Sequence, residues 1–378
     1  MSFSFGFTSN DFDDDELVAQ PETFVESSKE NENTTAYINP LDSDFLSQAG
    51  VVQPNVEDLG TILESLKDVR LTFEEFQSPI YRKPLIRREL FDVKHQLMLE
   101  TDAQSNNNST ELDILLGDTS EDLRKNIYEG GLKSWECSYD LVDLLSENVD
   151  RISNDIDAVV EIGCGTALPS EFLFRSALLR NDRSKGLKFV LTDYNASVLR
   201  LVTIPNLVIT WAKTVLTKEQ WYSLQKAECE DIPINNEELL LTSKLLAAFY
   251  DDVQSRNISV TLISGSWGRK FSNLIHEVLS GSQKVLSLSS ETIYQPDNLP
   301  VIAETILDIH NLPQTDVKTY VAAKDIYFGV GGSITEFEAY LDDKINSEHL
   351  PIHSERFKVN SGLKRSIICI ETNKATDS

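Results

Sequence analysis

The chain is poor in the residues that mark several common protein classes. It has four cysteines, Cys137, Cys164, Cys229 and Cys369, and no two stand close enough to form a CxxC pair. That spacing speaks against a disulfide framework and against a cysteine zinc site. Five histidines, His95, His276, His310, His349 and His353, are scattered rather than clustered. They read as surface or structural residues, and no metal site is expected. No apolar run approaches the ~18 residues of a membrane span, so no membrane association is expected. The opening MSFSFGFTSNDFDDDE has neither the basic nor the apolar region of a signal peptide. The expected setting is a reducing compartment: cytoplasm, nucleus or both. Basic residues are also scarce, with 34 Lys and Arg against 61 Asp and Glu, a net charge of −27. Such a surface repels phosphate, so direct nucleic-acid binding is not expected. It suits a basic protein partner, although acidity also serves solubility alone.

What is present is enough apolar residue, 40% of 378, to bury a sizeable core. Residues 1–60 carry thirteen acids against one base, Lys29, and few grouped core formers. They read as a disordered acidic tail. Within it, Phe3, Phe5 and Phe7 alternate like a short strand or docking peptide. Residues 61–123 read as an N-terminal arm followed by a polar linker. Leu63, Leu66, Leu71 and Phe76 fit helices or an extended arm, and residues 101–120 are the linker. From residue 124 to 378 short apolar runs alternate with helical spans. Seven strands are predicted, at Ala158–Ile162, Lys188–Thr192, Val260–Ser264, Lys284–Leu288, Val317–Ala322, a weak run near Phe357–Val359, and Ser366–Glu371. Residues 213–257 look like a mostly helical insertion. The pattern predicts an α/β fold, a doubly wound sheet whose ligands bind at the carboxyl ends of its strands.

Four of those strand ends carry chemistry. AVVEIGCGTALPSEFL runs from a strand through Glu161, Gly163 and Gly165 into a helix near Pro169. The glycines let backbone approach a ligand without a Cβ in the way. Leu168 replaces the third glycine of the dinucleotide fingerprint, which argues against NAD or FAD. The E-x-G-x-G spacing is instead the first motif of Rossmann-like methyltransferases. About thirty residues on, KFVLTDYN places Asp193 after the next strand, where a carboxylate can accept from both ribose hydroxyls of a nucleoside cofactor. VTLISGSWG ends in Gly265, Ser266 and Trp267, and a Trp among small residues can flank an adenine face. VLSLSSETIY ends in Ser289, Ser290, Glu291 and Tyr294, where donor and acceptor would meet. Each motif alone is also compatible with a turn, a cap or a core residue; the ordered set is more specific.

With YEGGLKSWECSYDL, VVEIGCGTALP, LTDYN, SGSW, SSETIY and AAKDIYFGVGGS in hand, the chain from about residue 124 to its end resembles the histidine protein methyltransferase family of eukaryotes. The resemblance implies a seven-stranded class I methyltransferase core and S-adenosylmethionine as methyl donor. It further implies transfer to the tele nitrogen of a histidine in a large-subunit ribosomal protein of the universal L-three family. The donor site it implies comprises Ser134, Trp135, Glu136, Cys137, Ser138, Gly163, Thr192, Asp193, Tyr194, Gly265, Ser266, Trp267 and Ser289, beside Glu161 and Gly165 of the turn. Two positions depart from the pattern: Glu161 where many members have Asp, and Ser333 where the family has Gly. Glu291, with Tyr294 beside it, is the candidate catalytic group, since a carboxylate on the second ring nitrogen would fix the imidazole tautomer. A helix-terminal acid is the plain alternative. Gly329, Gly331 and Gly332 suit a loop over an acceptor channel, or an ordinary strand-to-helix turn. A protein-lysine methyltransferase of the same fold and a non-catalytic assembly scaffold are the competing functions. A monomer is expected.

Overall fold

The computed structural model describes residues 38–43, 51–103, 130–180, 182–226, 234–359 and 362–372. The Phe3–Phe7 stripe, Cys229 and most of the expected linker lie outside them. The described residues belong to one compact unit, Ile38–Ser378.

Its centre is an eight-stranded sheet in the order β1-β7-β5-β4-β8-β9-β11-β10. These strands are β1 Asn55–Glu57, β4 Ala158–Ile162, β5 Leu187–Asp193, β7 Ile258–Ser264, β8 Lys284–Ser290, β9 Asp316–Lys324, β10 Ile352–Val359 and β11 Arg365–Thr372. The five from β7 to β9 pair in parallel, while β11 runs antiparallel to both β9 and β10. β4 is buried along its whole length. Its alternating side chains feed two separate cores: Val159 joins the one containing Phe174, Phe189 and Trp211, and Val160 and Ile162 join the one containing Phe271, Ile306 and Phe337. Helices on both faces supply those partners, which is why the strand reads as a continuous apolar run rather than an alternating one. Sequence order reverses on either side of β4, between β5 and β8, so the crevice for a ligand opens above the tip of β4. Seven of the eight strands and their order make this the class I methyltransferase core that the sequence predicts. The weak run near Phe357 is an eight-residue edge strand, with its alternating burial facing a single layer.

One sequence expectation needs correction, and two others gain detail. Residues 1–60 are not all tail. Asn39 donates to Glu304, Asp42 pairs with Arg269 at 2.9 Å, and β1 pairs antiparallel with β7. Leu41 is the one large apolar side chain buried among the described residues here; backbone pairing and several polar contacts do the rest, which composition does not register. The insertion is mostly helical, as expected, with one short strand among its described residues. That strand is β6 Glu238–Leu240, which pairs with β2 Arg70–Gln77 of the arm; β2 also pairs with β3 Pro84–Arg88. The arm is thus integral, with Leu71, Phe73, Leu85 and Ile86 buried in the main core. Finally, the helix Ala196–Val215 is long and apolar enough to cross a membrane. It is a core helix instead, 78% buried inside the fold, with Trp211 edge-on to Phe249 at 5.6 Å.

Candidate active site

At the tip of β4 the chain turns through three left-handed residues, Gly163 (φ 66°), Gly165 (φ 51°) and Ala167 (φ 55°), before the helix Leu168–Leu178 begins. A Cβ on Gly163 would lie 2.6 Å from Thr292 Cγ2, so any side chain there must displace Thr292 and adopt a strained left-handed backbone. The turn is clamped from three directions. Cys164 N–H donates to Thr192 O at 2.7 Å, Thr203 Oγ1 to Gly165 O at 2.6 Å, and Asn206 Nδ2 to Thr166 O at 2.8 Å. Asn206 in turn accepts from Arg88 N–H of the arm at 2.8 Å, which links β3 to the glycine turn.

Asp193 ends β5. Its Oδ2 accepts from Gly165 N–H at 3.0 Å and its Oδ1 from Asn195 N–H at 3.1 Å. A carboxylate so held still has lone pairs for further donors. Trp267, at the end of β7, packs toward the Gly163 position, 3.4 Å from where its Cβ would stand. These groups wall a cavity of about 390 Å³, within the ~300–1,000 Å³ usual for small-ligand sites. Of the residues singled out in the sequence, Trp135, Ser138, Gly163, Gly165, Asp193 and Tyr194 line one part of the wall, and Ser266, Trp267, Glu291 and Tyr294 another.

Seven others do not line the wall. Glu161 is fully buried and points to the helix side, where Oε2 accepts from Ser170 N–H at 3.1 Å and from the Ser170 hydroxyl, satisfying the helix start. Burial pushes its carboxyl up to about 8, only partly offset by Ser170. Thr192 Oγ1 and Ser289 Oγ donate to the last two carbonyls of β4, Glu161 O and Ile162 O, at 2.9 and 3.1 Å. Ser134 Oγ bonds the Thr166 hydroxyl at 2.9 Å. Gly265 faces the N-terminal segment, where Gln53 O would stand 2.7 Å from its Cβ. Glu136 is largely exposed and pairs with Lys324 at 3.2 Å. Cys137 is fully buried, and burial and the neighbouring Glu291 push its thiol well up, so it stays protonated.

Glu291 occupies a left-handed backbone position, φ 57°, which costs an ordinary residue about 1 kcal/mol. Its surroundings hold it there. Glu291 N–H donates to Ala322 O at 2.9 Å, Tyr327 OH to Oε2 at 2.6 Å, and Cys137 N–H to Oε1 at 3.4 Å. Lys324 Nζ lies 3.8 Å from Oε1. Burial lowers the Lys324 pKa, but Glu291 and Glu136 outweigh it and hold the ammonium above its ordinary value. Burial and Glu291 likewise raise the Tyr327 phenol, which remains a donor. Tyr327 and Lys324 escaped the sequence reading; the nearest signal was the Tyr inside YFGVGGS. Also missed were Thr292, Asp297 and Asn298 along the wall, and Ser43 and Val51 from the segment taken for tail. Ser333, the departure from glycine, caps the helix Ile334–Ser347, its Oγ accepting from Glu336 N–H at 3.1 Å.

The cavity fits the S-adenosylmethionine that the sequence resemblance implies. Side chains are absent where backbone must approach, and Asp193 offers acceptors for ribose hydroxyls. Trp267 Nε1 and Ser266 Oγ are buried at the wall with no partner of their own. Buried polar atoms left unpaired are costly, and a polar ligand would relieve both. Among the described residues no group of three potential metal ligands occurs.

No family model matches the chain. Among solved structures it is similar to the N-methyltransferase NodS of Bradyrhizobium japonicum at TM-score 0.33 and 11% identity, covering 75% of this chain and 99% of that one. That likeness is too distant to carry an argument. Sequence relatives are much nearer. The histidine protein methyltransferase 1 of Saccharomyces cerevisiae is 99% identical over 375 residues, 99% of this chain and 100% of the relative. Its namesake in Schizosaccharomyces pombe is 34% identical over 69% of this chain and 70% of its own length, and a rat homologue is 27% identical over 65% and 58%. With the sheet, the glycine turn and the buried carboxylate at the tip of β8 all in place, the chain belongs to the histidine protein methyltransferase family of enzymes, which act on protein substrates.

Proposed function

We propose that this enzyme transfers a methyl group from S-adenosylmethionine to the tele nitrogen of a histidine in a large-subunit ribosomal protein of the universal L-three family. The observation that carries the reading is the single cavity bearing both Asp193 and Glu291, in a chain nearly identical to a histidine protein methyltransferase. The donor supplies an electrophilic methyl on a sulfonium. Asp193 receives the ribose hydroxyls and Trp267 flanks the adenine. Glu291 accepts the N–H of the other ring nitrogen, which leaves the tele lone pair free for in-line attack and stabilises the imidazolium that forms. Because Tyr327 OH and Lys324 brace the carboxylate, little reorganisation is needed as charge develops. A neutral imidazole needs no strong base near pH 7, unlike an amine of pKa about 10.4. Positioning supplies most of the rate, worth several kcal/mol. The acidic enzyme, acting as a monomer in the cytoplasm or nucleus, suits a basic ribosomal protein met before or during subunit assembly.

The test uses the ribosomal protein purified from cells lacking the enzyme, together with labelled donor. Label should be recovered as tele-methylhistidine, with the rate falling on acidification around pH ~6–7 as the acceptor protonates. Methyl-lysine as product, with rate still rising into alkaline pH, would overturn the acceptor. No incorporation would overturn the substrate.

A further inference from the structure

Beyond the strand tips, the enzyme displays an apolar rim that the methyl-transfer chemistry does not use. Phe328 is 85% exposed, and Ile326 and Val330 are exposed beside it in the same loop. Leu363 is exposed on the neighbouring loop, joined to the first where Asp325 N–H donates to Lys364 O at 2.9 Å.

The loop is a tied structure rather than a slack one. Tyr327 N–H donates to Gly332 O, Gly331 N–H to Tyr327 O and Gly332 N–H to Tyr294 O, each at 3.0 Å. Gly329 and Gly331 take left-handed φ values of 81° and 107°, and a Cβ on Gly332 would strike Ile293 O at 2.3 Å. The glycines therefore press the loop against the Tyr294 segment and turn its apolar side chains outward. An aromatic ring held out in water forgoes the burial that normally stabilises it, and grouped exposed apolar side chains mark interaction sites.

The rim is also joined to the cavity wall, through Tyr327. Tyr327 stands beside Phe328 in the chain and donates to Glu291, and its ring meets that of Tyr294, a cavity wall residue, edge-on at 6.3 Å. A polypeptide covering Phe328 and Val330 would therefore lie close to the Tyr294 and Glu291 side of the cavity. We infer that Ile326, Phe328, Val330 and Leu363 form the docking surface for the polypeptide that carries the acceptor histidine, gripping apolar side chains that flank it. The −27 charge of the enzyme supplies the attraction for a basic substrate, while the rim supplies a short-range apolar contact. This inference rests on the protein-histidine reading above.

The experiment compares F328S/V330S with L179S, which removes an exposed leucine at the far end of the helix Leu168–Leu178. Donor binding is measured by calorimetry and methyl transfer on the ribosomal protein named above. The double variant should raise KM for the protein at least about tenfold, with kcat and donor Kd within about twofold; L179S should change none of them. An unchanged KM overturns the docking surface. So does a joint loss of donor affinity and kcat, which would make the loop part of the catalytic frame. If the unaltered enzyme leaves the ribosomal protein unlabelled, the substrate reading alone fails. The same KM comparison is then made on the protein that does take label in extracts of enzyme-lacking cells. Methyl-lysine in the hydrolysed product overturns the acceptor reading and leaves the KM ratio to judge the rim.

Discussion

Around Gly163, Gly165 and Asp193 the cavity wall is mostly backbone, shaped by one strand-turn-helix passage. Around Glu291 it is a side chain held by groups from distant positions, the Tyr327 hydroxyl 36 residues away and the Cys137 N–H 154 residues away. The donor half is therefore intolerant of added atoms, since any Cβ meets Thr292 or the Gly131 carbonyl. The acceptor half is intolerant of lost atoms, since each group holds another. One half fails by filling and the other by deletion, and the difference can be tested directly.

The largest effect is expected at the donor turn. Gly163→Arg should abolish donor binding by calorimetry, a loss of at least about 100-fold, because the side chain has only the cofactor space to enter. Circular dichroism should still show a folded protein. Normal donor affinity in that folded variant would break the contrast at its strongest point.

On the acceptor side, Glu291→Gln should lower kcat by about 10–100-fold with donor Kd nearly unchanged, because it removes charge that matters only as the imidazolium forms. Tyr327→Phe should give a smaller fall, roughly three- to tenfold, since the carboxylate remains and only its 2.6 Å brace is lost. If Tyr327→Phe weakened donor binding instead, the two halves would not be separable.

A third measurement asks how far the donor half depends on the N-terminal segment. Val52 O accepts from Ser266 N–H at 2.9 Å, and Ser43 and Val51 line the cavity. Removing residues 1–57 should weaken donor binding about tenfold and lower the Tm by ~5 °C or more. An unchanged melt would return the segment to the status of a tail.

The smallest effect concerns a carboxyl outside both halves. Glu171 is fully buried on the helix after the glycine turn, and burial pushes it up to about 8 despite hydrogen bonds from Thr210 and the Ile86 N–H. The folded protein keeps this proton while the unfolded chain releases it near pH ~4.3, so stability is full below that pH and is lost as pH rises through about 8. Glu171→Gln should raise the Tm relative to the parent at pH 8.5 more than at pH 5. Equal shifts at both pH values would show that the carboxyl is ionised in the fold.

Much of this was legible in the residues, and the misses have physical causes. The buried strand Ala158–Ile162 and the turn after it are local: five apolar-rich residues, two glycines and a proline within twelve positions carry the signal. Asp193 was legible because it ends the adjacent strand. Glu161, Thr192 and Ser289 were assigned to the ligand, yet brace the strand tip, because a motif marks which residues matter near a site and not which way each side chain turns. Glu161 shares the face of Val159, the helix side, so its carboxylate meets Ser170 instead of the cavity.

By itself, then, the sequence determined the doubly wound sheet, its order of motifs and the place of the donor turn, because strand periodicity, glycine freedom and strand-end acids act within a few residues of one another. Tertiary structure alone decided the rest. It seated residues 51–57 against β7 and the turn after it, and residues 38–43 against the helices Arg269–Leu279 and Leu299–His310, with Ser43 and Val51 at the cavity rim; it also joined the arm and the insertion into one small sheet. It also set Tyr327 and Lys324 behind Glu291. Each of these is a pairing between distant segments, made by backbone hydrogen bonds and single polar contacts that leave no periodic trace in the chain.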